Sequence, residues 1–194
     1  MLGVLISVEG VDGAGKTTLV AGLAAALGAV ALREPGGTAV SERVRELLAD
    51  PALEIDPRTE ALLYAAARAQ LVAEQLRPLL ADGATVLLDR FVDSSLAYQG
   101  AARGLGVDAI RALNDFGTGG LRPDRTLLLR IDPEQGRERI SGREADRLER
   151  EDADFFAAIA AAYDALAAAE PGRIVVIDAG QSPEAVLADA LAAL

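Results

Sequence analysis

The chain has 194 residues, 51% of them hydrophobic, with 19 basic against 30 acidic side chains and a net charge of −11. It has no Cys and no His, and Lys16 is its only lysine, which excludes disulfides, thiolate or imidazole catalysis and the usual zinc sites. So large an acidic excess argues against nucleic acid or an anionic membrane as partner, yet a few local arginines could still hold a small anion.

The length suits one domain over residues 1–194. No apolar run approaches the ~20 residues that span a bilayer, and Met1-Leu2-Gly3-Val4 lacks the charge of a signal peptide, so a cytoplasmic protein is expected. Val4 to Glu9 reads as a first strand, and Thr17 to Leu27 as a helix stopped by Gly28. Ala29 to Arg33 reads as a second strand, followed by the loop Glu34-Pro35-Gly36-Gly37-Thr38 and a helix over Val40 to Ala49. Asp56-Pro57 opens another helix, Asp at the N-cap and Pro at the first position, which runs through Leu80 toward Gly83 with Pro78 as a possible kink. Thr85 to Asp89, Arg125 to Ile131 and Arg173 to Ile177 supply three more strands. Strands alternating with helices predict an α/β domain of three layers, with a five-stranded parallel sheet covered on both faces.

Gly10-Val11-Asp12-Gly13-Ala14-Gly15-Lys16-Thr17 fits G-x-x-x-x-G-K-[ST] and sits between a strand and a helix, as a phosphate-binding loop must. Its glycines let successive amides face a polyphosphate, and the helix N-terminus adds partial positive charge. Lys16 can reach the β- and γ-phosphates, while Thr17 can offer its hydroxyl to Mg²⁺. The pattern predicts nucleoside triphosphate binding; switches, motors and kinases all share it.

Asp89 ends an apolar strand where ligands bind in open α/β sheets, and either supports Mg²⁺ or closes a turn. Arg90 follows it and could clamp an acceptor phosphate. Arg68 is the only charge between Ala61 and Ala73, with Tyr64 one turn earlier on the same face. Such a guanidinium either serves a ligand, snorkels to solvent or pairs with a structural acid. Residues 137–151 carry mixed charge, interrupted by Ser141-Gly142. They form either a solvated helix or a hinged lid, in which Arg143 and Arg147 would point the same way.

Glu9 to Thr18, Arg33 to Thr38, Asp89-Arg90-Phe91 with Ser94, Ala97, Tyr98, Gln99 and Gly100, Asp146 to Glu149, and Asp154-Phe155-Phe156 together resemble the thymidylate kinase family over nearly the whole chain. The resemblance implies transfer of the ATP γ-phosphoryl group to dTMP with Mg²⁺, in a homodimer. Residues 10–18 (Gly10, Val11, Asp12, Gly13, Ala14, Gly15, Lys16, Thr17 and Thr18), with Arg139 and Gln181, would bind ATP. Asp12, Pro35, Tyr64, Arg68, Arg90, Ser95, Tyr98 and Gln99 would bind dTMP. Thr17, Asp12 and Asp89 would serve the metal. Some members carry a catalytic arginine inside the phosphate loop; Val11 and Ala14 stand at those positions here. The chain therefore resembles the bacterial type, with Arg143 and Arg147 of the lid joining Lys16, Asp12 and Arg90 in catalysis. Another monophosphate acceptor, or a nucleotide-dependent switch, are the alternatives. A guanine switch would need an N-K-x-D reader, for which no second lysine exists.

Overall fold

In the computed structural model, residues 3–140, 142 and 146–194 are described. Five strands, β1 (Val4–Gly10), β2 (Val30–Arg33), β3 (Thr85–Asp89), β4 (Arg125–Arg130) and β5 (Ile174–Asp178), form one parallel sheet in the order β2-β3-β1-β4-β5. The register sets Val8 beside Asp89 and Gly10 beside Leu129, so the phosphate loop, Asp89 and Arg90 emerge at one carboxyl rim. Chain order reverses around β1, and that switch point opens a crevice above it.

Strands buried on both faces need continuous apolar runs, and β3 and β4 have them in Val86-Leu87-Leu88 and Leu127-Leu128-Leu129. Helix α1 (Lys16–Leu27) packs Leu19, Val20 and Leu23 into a cluster with Ile6, Val8, Leu87 and Leu127, which also takes Phe156, Ile159 and Tyr163 of α8 (Ala153–Ala169). A smaller cluster sets Leu5, Val86 and Leu88 against Leu71, Val72 and Leu76. Local chemistry closes the helix ends. Gly28 takes a left-handed φ of 62° after α1, Thr38 caps α2 (Ala39–Ala49) by accepting from the Ser41 amide, and Asp56 caps α3 (Pro57–Leu71).

The single helix expected from Pro57 to Leu80 is instead α3, a π-helical turn over Val72–Leu76, and α4 (Arg77–Ala81). Pro78 offers no amide hydrogen, and its ring crowds the carbonyl four residues back, so the preceding turn widens. A short α5 (Val92–Ser95) runs into a second π-helical segment, Leu96–Ala102, which carries Tyr98 and Gln99. Next come α6 (Val107–Thr118) and, after β4, α7 (Pro133–Ile140); the chain ends in α9 (Pro183–Ala192). Helix α7 stops before the expected hinge, so Arg147 lies in a turn and not on a helix. No helix among the described residues is long and apolar enough to cross a membrane.

Candidate active site

A cleft of about 530 Å³ runs from the phosphate loop to the side chains of Tyr64, Arg68, Ser95 and Gln99. That is the size range of small-molecule sites. At the loop, Gly13 adopts φ 78°, and a Cβ there would meet the Gly136 carbonyl oxygen at 1.9 Å. Gly15 adopts φ 91° just before α1. Lys16 folds back, its Nζ donating to the carbonyls of Gly10 (3.1 Å) and Val11 (2.8 Å), with Asp12 Oδ1 3.9 Å away. Burial, reinforced by the Arg90 cation, pushes the Lys16 ammonium down to about 8 against the pull of Asp12, Asp89 and Glu9. Val11 and Ala14 are buried, which leaves the loop backbone facing the cleft. Thr17 Oγ1 donates to Asp89 Oδ2 at 2.6 Å, and Thr18 also lines the cleft.

Arg90 is the only non-glycine among the described residues with positive φ, 71°. The left-handed turn brings its guanidinium back over the loop. Nη1 donates to the Gly10 carbonyl (3.1 Å) and Ser94 Oγ (3.0 Å), and Nη2 to Asp12 Oδ1 (2.5 Å) and Tyr98 Oη (3.2 Å). Tyr98 Oη donates to Asp12 Oδ2 at 3.1 Å. Burial would raise the Asp12 carboxyl, but Arg90 and Lys16 outweigh it and hold it at about 2. Beneath lies Glu9, unassigned from sequence although it opens the motif. It accepts from the Phe91 amide (2.7 Å), Ser94 Oγ (2.5 Å) and Tyr163 Oη (3.0 Å). Burial, then the charge of Asp93, raises it to about 7.

At the far end Arg68 is buried and pairs with an acid, one of the roles open to it from sequence. Its Nε donates to Glu34 Oε2 (2.7 Å), Nη1 to Ser95 Oγ (2.9 Å) and to Asn114 Oδ1, and Nη2 to the Phe91 carbonyl (2.9 Å). One Nη2 hydrogen remains for a ligand. Burial raises Glu34 to about 6 despite the opposing Arg68 charge. Pro35, preceded by a cis bond, lines the cleft, as does Tyr64. Gln99 donates Nε2 to the buried carboxylate of Glu60 at 2.8 Å. Neither Glu60 nor Asn114 belongs to a motif. The usable signal for Glu60 was its place one turn before Tyr64, on the inward side of α3.

Arg139 lines the cleft and donates to the Ala179 carbonyl at 3.1 Å. Gln181 stays outside the cleft wall, donating to the Asp178 carbonyl (3.3 Å) and Asp189 Oδ2 (3.0 Å). Arg143 lies outside the described residues. Arg147, read from sequence as a lid arginine, has its Nη2 donating to Glu60 Oε2 (2.7 Å) and its Nε to the Leu48 carbonyl (3.1 Å). A fully buried carboxylate draws a guanidinium more strongly than the solvated loop rim does. Among the described residues no group of three or more acidic side chains could cage a metal ion.

Residues 8–190 match the family model described as thymidylate kinase. A thymidylate kinase of Deinococcus radiodurans is 48% identical over 198 residues, covering 99% of this chain and 96% of that protein. One of Bacillus licheniformis is 46% identical, covering 96% and 92%. The crystal structure of thymidylate kinase from Ehrlichia chaffeensis superposes with a TM-score of 0.83 at 29% identity, covering 100% of this chain and 98% of that one.

Proposed function

The chain belongs to the thymidylate kinase family, and from that premise we propose that it transfers the γ-phosphoryl group of ATP to dTMP, giving ADP and dTDP, in the cytoplasm. The observation that carries the reading is one cleft with a phosphate loop at one end, a buried polar pocket at the other, and Arg90 between them.

Phosphoryl transfer between two anions needs alignment and charge neutralisation more than covalent chemistry. The attacking oxygen belongs to the acceptor phosphate, which is already ionised near neutral pH, so a chain without histidine loses nothing. Lys16 leaves the two loop carbonyls to contact the β- and γ-phosphates, and anionic phosphates restore the proton affinity that burial took from it. Arg90, fixed by Asp12, Tyr98 and Ser94, holds the acceptor phosphate in line with the donor. Asp12 stays ionised and accepts from the sugar 3′-hydroxyl, while Tyr98 crowds the 2′ position and favours deoxyribose. The remaining Nη2 hydrogen of Arg68, with Ser95 and Gln99, reads the base, and Tyr64 and Pro35 enclose it. Arg139, Gln181 and Thr18 serve ATP, and Arg143 joins the transferring phosphates.

The Thr17 hydroxyl and Asp89 carboxylate, paired at 2.6 Å on the loop rim, are hard oxygen donors of the kind Mg²⁺ accepts when it shares its shell with phosphates and water. Thr17 and Asp89 would hold the ion, with Asp12 nearby, and it would supply neutralisation of phosphate charge. Two copies pair through α3 and α6. In support, the two helices pack side by side and expose Leu62 (57%) and Phe116 (90%), apolar side chains that a second copy would cover.

The test is an ADP-release assay with dTMP, dUMP, dCMP, dGMP and dAMP as acceptors. Turnover is expected to be fastest with dTMP; equal turnover across the panel would refute the assignment.

A further inference from the structure

The acidic residue Glu60, absent from every motif, sits in the first turn of α3 with no exposed surface. Four hydrogen bonds from three residues converge on it. Oε1 accepts from Gln99 Nε2 (2.8 Å) and Arg103 Nε (3.4 Å); Oε2 accepts from Arg147 Nη2 (2.7 Å) and Arg103 Nη2 (3.2 Å). Arg103 also meets Glu151 at 2.8 Å and lies over the Phe155 ring, its Cζ 4.7 Å from the centroid. Two guanidinium groups are thus balanced by two carboxylates, and the helix N-terminus favours the anion further.

Three separate segments of chain meet at this one carboxylate. Gln99 lines the far half of the cleft, opposite the phosphate loop. Arg147 belongs to the turn whose neighbours Asp146, Leu148 and Glu149 form another wall of the cleft, and its Nε also donates to the carbonyl of Leu48, a further lining residue. A carboxylate can only accept, so the amide nitrogen of Gln99 must face Glu60, and its carbonyl oxygen takes the other edge. We propose that Glu60 is a positioning residue for the acceptor pocket: by gripping Gln99 and Arg147 together it sets the amide orientation of one wall and the position of the other. Glu60 itself contacts no substrate. The inference rests on reading the far half of the cleft as the dTMP pocket.

The experiment is steady-state kinetics of the full chain with dTMP and ATP, for wild type, Glu60→Gln, Arg147→Met and the double variant. Each single change is expected to raise KM for dTMP about tenfold with kcat within about threefold, and the double variant should be no worse than the poorer single one. A purely structural Glu60 would lower the active fraction, and hence kcat, without moving KM. Unchanged KM in the folded variants, or fully additive effects, would overturn the proposal. Where Glu60→Gln fails to fold, Arg147→Met decides by itself. It should raise KM, and Arg147→Lys should recover most of the loss; an unchanged KM again overturns the idea. The wild type separates the two readings. If it does not turn over dTMP, the assignment of the pocket falls. If it does and the variants keep its KM, the positioning role alone falls.

Discussion

Lys16 and Arg68 are buried cations in the walls of one cleft, yet the two ends of that cleft treat them differently. Lys16 has two backbone carbonyls and a carboxylate no nearer than 3.9 Å, and its ammonium falls to about 8. Arg68 has a carboxylate at 2.7 Å and acceptors from Ser95, Asn114 and Phe91. An under-compensated buried cation is completed by an arriving anion; one already paired with a carboxylate and three further acceptors is held in the wall, with a single hydrogen left to meet a ligand. The phosphate end is therefore built to receive charge, and the base end to hold its shape.

The contrast can be broken in four ways. Arg68→Met strands the Glu34 carboxylate in the interior and should cost about 3–5 kcal/mol of stability in urea unfolding. A loss below about 1 kcal/mol would mean that the base end is not held by this pair. Lys16→Arg should leave the melting temperature nearly unchanged but lower kcat at least about 100-fold, roughly 3 kcal/mol, because a planar fork cannot take the place of a compact ammonium between phosphates. Near-normal turnover would remove Lys16 from the mechanism. Free Lys16 is cationic below about pH 8 and neutral above it, and only the cation attracts a polyphosphate. The value of kcat/KM for ATP should accordingly fall above that pH, approaching about tenfold per unit, whereas kcat should hold to higher pH because bound phosphates keep Lys16 charged. A kcat/KM flat to pH 9.5 would show that burial does not weaken the cation. The smallest effect belongs to Thr38→Ala, which deletes the α2 cap at the base end and should cost about 1 kcal/mol in thermal unfolding. No change there would mean that tertiary packing alone holds α2.

The phosphate end was readable because its parts are adjacent in sequence. Gly10 to Thr17 carry the glycines, the lysine and the hydroxyl within one turn between strand and helix, and each residue's task follows from local backbone geometry. Asp89 and Arg90 were readable because an apolar strand must end at the sheet rim. Arg68 was half readable. A lone charge in an apolar helix announces a buried partner, but nothing within a helical turn says whether that partner is a ligand or Glu34.

All five strands, the α1 stop at Gly28 and the Asp56-Pro57 start followed from period, cap and breaker, which act over a few residues. The strand order and the inward swing of Arg90 came from packing. So did the place of Arg147. Read from a local window, it belonged with Arg143 on one helical face; in the folded chain α7 ends at Ile140, and Arg147 pairs with Glu60, 87 residues away. Hydrogen-bonded turns and caps are short-range and leave their mark in neighbouring residues. A buried charge instead takes whichever counter-charge the fold brings within reach, and sequence spacing carries no record of that choice.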